Sequence, residues 1–219
     1  MTFLIEELQE IDIILNNFKK AKSNEEIFYN MCFCICIPQT KFSSNLISIQ
    51  NLKNVDFYNK DVPLERLKEL IKKTRFKNRK SQFLIEFKKN SGRFIEQFQS
   101  AFLNVVIKML SQNGHSKKTY NSLFWNEQEI LKFRNQIVQD IKGIGMKTAS
   151  HFLRNMGFDC LAIVDTHIKK FLGIGNKFNY LEVEEKFRRM AENHKLSVAQ
   201  LDALIWKRFS KTKSENFVY

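Results

Sequence analysis

At 219 residues, 43% hydrophobic and 13% aromatic, the chain can bury a core as one large domain or two small ones and needs no help to fold. Thirty-six Lys and Arg against 23 Asp and Glu leave +13, which excludes a polycationic partner and favours a polyanion, either nucleic acid or an anionic membrane; a lysine-rich solubility coat is the alternative. Seven glycines and two prolines are too few for the turns of a many-stranded sandwich or barrel, so an all-α fold is expected.

In chain order, Phe3, Leu4, Leu8, Ile11, Leu15 and Phe18 recur at steps of three and four and predict an amphipathic first helix. Glu6, Glu7 and Glu10 stand where a signal peptide needs a basic start, and no stretch of about 18 apolar residues occurs, so an intracellular protein without a membrane segment is expected. Ser23 and Glu26 have the spacing of a capping box before an apolar run, Ile27 to Ile37, that Pro38 stops. That second helix is expected to be buried nearly all round. It carries Cys32, Cys34 and Cys36, and Cys160 is the fourth cysteine. Helical neighbours at this spacing diverge, so buried reduced thiols are expected rather than a metal site.

Leu46 to Leu52 is periodic again, and "DVPLERLKELIKK" puts Pro63 in the first turn of a further helix. In "TRFKNRKSQFLIEFKKN", Arg75, Lys77, Arg79 and Lys80 mix with Phe76, Phe83 and Phe87 at helical spacing, one face suited to a core and the other to phosphates or to plain solvent. "SQNGHSKKTYNS", 111 to 122, reads as loop, and Trp125 to Asp140 as an amphipathic helix. Beyond Gly157 the run "LAIV" ends at Asp165, and "THIKKFLGIG" reads as helical. Two more helices are expected, Tyr180 to Asn193 and Ser197 to Phe209, the latter capped by Ser197.

The stretch "KGIGM" joins two of these helices. Gly143 and Gly145 permit positive φ and close backbone approach, and the free N–H groups of a helix starting near Lys147 favour an anion, so a DNA phosphate fits without any base being read. Glycine at a helix end is common on its own. Yet eighteen residues after Lys147 comes Asp165, with His167 two residues further. Asp165 can be a cap alone; a phosphate site, a lysine on it and a nearby carboxylate form a set that lone caps do not explain.

The segment "LKFRNQIVQDIKGIGMKTASHFLRNMGFDCLAIVDTHIKKFLGIG" resembles the helix-hairpin-helix DNA glycosylases, in which a hairpin, a lysine and a loop ending in aspartate follow in that order. "GIGMKTASHFLRNMG" and "CLAIVDTHI", with "FYNMCFCICIPQT" and "TRFKNRKSQFL" upstream, are similar to the compact 8-oxoguanine DNA glycosylase/lyases of archaea and some bacteria. The resemblance implies a two-lobed helical fold with a DNA-binding cleft between the lobes. One is a helical barrel lobe at 24–158 that carries the hairpin motif (about 126–157). The other is built from 1–23 and 159–219 and carries the catalytic aspartate.

It implies Lys147 as nucleophile and Asp165 as its supporting carboxylate, with Gly143, Gly145 and His167 on DNA phosphates. Gln39, His151, Asp202 and Trp206 would meet the flipped base; Asp202 and Trp206 are four apart and share a helix face. A core Trp206 and a plain loop Gln39 are the alternatives. Endonuclease III relatives hold an iron–sulfur cluster on four cysteines after the aspartate loop. No cysteine lies beyond Cys160 here, so no such cofactor is expected, and a monovalent cation at the hairpin stays open.

The implied activity is excision of 8-oxoguanine from double-stranded DNA by a bifunctional glycosylase/AP lyase, acting as a monomer at the cytoplasmic nucleoid. The same chemistry on another oxidised base, such as a damaged pyrimidine, and a non-catalytic hairpin DNA-binding module are the alternatives. The compact branch ends in a lysine that helps close the base pocket, whereas this chain ends "SKTKSENFVY"; Phe217 or Tyr219 is expected to substitute, or the tail to stay loose.

Overall fold

The computed structural model of the chain describes residues 5–112, 127–175 and 177–209, with side chains described to 103 in the first span. Phe3, Leu4, Trp125, Phe217, Tyr219 and all but the first two residues of the expected 111–122 loop lie outside the described residues; Ser111 and Gln112 are helical. Every regular element among the described residues is a helix. None of them is long and apolar enough to cross a membrane.

Two compact units emerge, Asn24–Gly143 and the pair Met1–Ser23 with Ile144–Tyr219. The division falls inside the hairpin, ahead of the expected boundary at 158, because the helix after the hairpin bonds to the helices that follow it, as described below.

In the first unit α2 (Asn24–Cys36) has nine of its thirteen residues buried, so both its faces are interior. Burial pushes the Cys36 thiol up to about 12 and raises Cys32 as well, which keeps these sulfurs protonated apolar fillers. Phe28 is the aromatic hub, its ring 5.4 Å from Phe87 and 5.2 to 5.6 Å from Tyr29, Phe57 and Tyr58. Against α2 stand α3 (Phe42–Asn54) and α5 (Lys77–Gln112), and α4 (Leu64–Leu70) packs on those two. Pro63 is the residue before α4 rather than part of its first turn, and its φ of −59° is already set for the helix. The 36-residue α5, roughly 54 Å long, takes up the basic stretch from Lys77 onward. Phe94 and Phe98 on it meet Phe133 of α6 (Glu127–Asp140).

The second unit holds α1 (Ile5–Phe18), α7 (Met146–Asn155), α8 (Thr166–Phe171), α9 (Tyr180–Asn193) and α10 (Val198–Phe209). α10 is apolar on two faces. Ala199, Ala203 and Leu204 pack on Ile11, Leu15 and Phe18 of α1, while Val198, Leu201 and Ile205 join Val183, Phe187 and the run ending at Val164. Its start is a reciprocal capping box: Gln200 N donates to Ser197 Oγ at 3.1 Å and Ser197 N to Gln200 Oε1 at 2.7 Å. α7 ends in a Schellman turn, with Phe158 N on Leu153 O and Gly157 at φ +95°. A Cβ at Gly157 would stand 3.0 Å from Phe18 O and Lys19 Cα, so this glycine also admits the end of α1.

Candidate active site

The hairpin lies between Asp140 and Met146, with Ile141 and Ile144 buried and Lys142, Gly143 and Gly145 exposed. Gly143 takes the expected positive φ, +86°, and a Cβ there would collide with the Phe83 ring at 2.4 Å. Gly145 differs from expectation: it is the N-cap of α7 at φ −110°, extended, and a Cβ on it would meet nothing within 4 Å. Its backbone faces open space at a helix start whose first-turn amides point outward, the geometry that accepts an anion.

Lys147, the second residue of α7, is exposed. On the same helix His151 stands one turn later and Arg154 two turns later. Burial first, then the charges of Arg154 and Lys147, hold the His151 imidazole well below its usual range, so it is neutral near pH 7.

The run 161–164 is buried throughout and lies outside any helix. Asp165 ends it, half-buried, and caps α8: its Oδ1 accepts from His167 N at 2.7 Å and Ile168 N at 3.1 Å. The cap reading and the site reading of Asp165 therefore coexist, because one oxygen serves the helix and Oδ2 is not used by that cap. His167 follows, half-buried, its ring edge-on to Trp206 at 6.5 Å. Trp206 is itself half-buried in the last turns of α10.

Asp202, one turn before Trp206, is buried. Its Oδ2 accepts from Arg154 Nη1 at 2.8 Å and from Ile163 N at 3.0 Å. Burial raises its carboxyl to about 6, with the Asp165 charge adding, while Arg154, the Ile163 amide and Lys147 pull it back. Asp202 thus feels the charges of Lys147, Arg154 and Asp165, and His151 those of Lys147 and Arg154. The expected role of Asp202 at a base edge is left to its other oxygen.

Gln39 and Gly143 belong to the other unit. Gln39 is exposed at φ +56°, a left-handed conformation uncommon for a residue with a side chain. Its loop is held by Lys80, whose Nζ donates to Cys36 O at 2.6 Å, Pro38 O at 2.8 Å and Thr40 Oγ1 at 2.9 Å. The basic stretch was expected to turn one face to phosphates or solvent; Lys80 instead is 4% exposed and closes the end of α2. Sequence reasoning also passed over Arg154 and Tyr180. Arg154 and Asp202 are 48 residues apart, and the only signal linking them is that each falls on the apolar side of its own helix.

Among the described residues no group of three or more His, Cys, Asp or Glu could hold a metal. The family model described as 8-oxoguanine DNA glycosylase matches residues 11–196. The chain is 32% identical over 202 residues to an 8-oxoguanine DNA glycosylase/AP lyase of Fusobacterium nucleatum, covering 87% of this chain and 82% of that protein. Among solved structures it is similar to the 8-oxoguanine DNA glycosylase of Thermotoga maritima, with TM-score 0.69, 25% identity and 94% and 92% of the two chains covered. It is similar also to the Methanocaldococcus jannaschii 8-oxoguanine glycosylase/lyase in complex with a 15mer DNA containing 8-oxoguanine, with TM-score 0.67, 27% identity and 96% and 99% covered.

Proposed function

The chain belongs to the 8-oxoguanine DNA glycosylase family, and from that premise we propose that it excises 8-oxoguanine from duplex DNA and then cleaves the strand as an AP lyase. The observation that carries the reading is a lysine exposed on the first turn of α7 and a carboxylate capping α8, both felt by the buried Asp202.

The chemistry follows from those groups. The target nucleotide leaves the stack, since its anomeric carbon is out of reach inside a duplex. Unprotonated Lys147 Nζ bonds to C1′ as the glycosidic bond breaks, its electron pair leaving with the base, which takes up a proton. The Asp165 carboxylate offsets the positive charge that develops on the sugar. Ring opening turns the adduct into a Schiff base, which acidifies C2′; loss of that proton expels the 3′ phosphate and cuts the strand. The amides at the start of α7 by Gly145 and the side chain of His167 hold flanking phosphates, and the Trp206 ring offers a stacking face. Neutral His151 and Asp202 read base edges. No cofactor is required by these steps, and a monomer suffices for them.

Lesion choice and lysine chemistry are separate parts of this reading. Single-lesion duplexes treated with borohydride test both parts. A trapped adduct on 8-oxoguanine that disappears in Lys147→Gln is expected; trapping confined to oxidised pyrimidines would shift the substrate, and trapping that survives Lys147→Gln would remove the nucleophile.

A further inference from the structure

The two proposed reacting groups sit at the ends of two segments. Lys147 lies three residues before Ser150 on α7, and Asp165 directly follows Val164. Tyr180, the first residue of α9, puts its hydroxyl where those segments meet: 2.9 Å from Ala162 O, 3.4 Å from Val164 N and 3.3 Å from Ser150 Oγ. A phenol has one proton and two lone pairs. That proton serves the shorter contact, Ala162 O, while the oxygen accepts from the Val164 amide and lies within hydrogen-bond distance of Ser150 Oγ.

The run 161–164 is buried, no strand stands beside it among the described residues, and its backbone groups require partners. Tyr180 takes Ala162 O and Val164 N, and the Asp202 carboxylate takes the Ile163 amide between them. Both partners also reach α7, but at different points. Asp202 meets it at Arg154, seven residues past Lys147, whereas Tyr180 meets it at Ser150, within one turn of the nucleophile.

We propose that Tyr180 is a positioning residue for base excision: its hydroxyl fixes the helix that carries Lys147 against the run that carries Asp165. Attack at C1′ requires amine and carboxylate to be placed together within a few tenths of an ångström, and a side chain bonded to both supports sets that spacing without touching DNA. The assignment rests on Lys147 and Asp165 being the reacting pair.

The test uses the full chain and an 8-oxoguanine duplex, with single-turnover excision, duplex affinity and borohydride trapping measured on the same samples. Wild type that traps, Lys147→Gln that does not, and Asp165→Asn that slows excision with affinity kept establish the pair. Tyr180→Phe, which keeps the ring, is then expected to slow excision about tenfold to a hundredfold with duplex affinity changed less than twofold. Ser150→Ala, which leaves the Ala162 and Val164 bonds in place, is expected to slow it about threefold to tenfold, and it carries the test should the Phe variant not fold. Wild-type rates in both variants beside an inactive Lys147→Gln overturn the positioning role and leave the lysine chemistry standing. Losses that appear equally in affinity overturn it as well. A wild-type chain that never traps removes the pair itself, and the inference with it.

Discussion

Two lysines at helix starts, Lys147 on α7 and Lys80 on α5, have opposite fates. Lys147 follows an extended glycine with open space around it and ends exposed. Lys80 follows the exposed, left-handed Phe76 and turns inward, where two carbonyls and a hydroxyl accept all three of its protons. Burial lowers its pKa, which shows the cost of enclosing the ammonium, yet the three acceptors, two of them in the last turn of α2 and the loop after it, keep it there. The position of a lysine on a helix says little until the acceptors around it are known. The site lysine is the one whose neighbourhood provides none within its own turn.

The contrast can be broken most completely at Lys147. Its replacement by Gln is expected to abolish the trapped adduct while leaving unfolding free energy within about 0.5 kcal/mol, the usual range for an exposed position. A stable loss of several kcal/mol in urea unfolding would mean that Lys147 is structural after all. Next in size is Arg154→Met, which strands the buried Asp202 carboxylate and is expected to cost about 3 kcal/mol; Arg154→Met with Asp202→Leu should recover part of it. Lys80→Met comes third. Leaving Cys36 O and Pro38 O without their donor should cost about 2 kcal/mol in the same assay, with trapping still detectable.

The smallest effect is in the pH dependence, and there two members of the site oppose each other. His151 is depressed in the folded chain, so its contribution to stability is present above its unfolded value of about 6.5 and is lost as pH falls below it. Asp202 is raised to about 6, so its contribution is full below the ordinary carboxylate value and is lost as pH rises through about 6. Between pH 4 and 6.5 the two partly cancel. Asp202→Asn should uncover the His151 trend, giving stability that climbs with pH more steeply than wild type in urea titrations across that window. An unchanged slope would mean that Asp202 keeps its charge throughout.

What the sequence made legible were features whose cause is local. The helix from Tyr180 to Asn193 stands where periodicity puts it, Ser197 caps as its spacing with Gln200 requires, and Pro38 lies just past the end of α2. The order hairpin, Lys147, Asp165 is legible because a phosphate-facing turn and a helix cap both leave marks within a few residues. The supports of the site leave none. Tyr180 meets Ser150 across 30 positions, Lys80 meets Cys36 across 44, and Arg154 meets Asp202 across 48. Each partner taken alone reads as an ordinary polar residue on an apolar helix. The turn residues escaped for a related reason: Gly145 reads like Gly143, and only the Phe83 ring beneath Gly143 separates their backbone demands.

The pairing of α1 with α10 bears on biosynthesis. Asp12 bonds to Gln200, 188 residues further along, and Glu10 to Lys207, 197 further. At about 5 to 20 residues per second, a ribosome takes roughly 10 to 40 seconds between making the two ends of that contact. Through that interval Ile11, Leu15 and Phe18 are an apolar stripe without its native cover. The nascent chain therefore offers chaperones a defined early handle, and the helix that carries Asp202 and Trp206 is the last of the described elements to emerge.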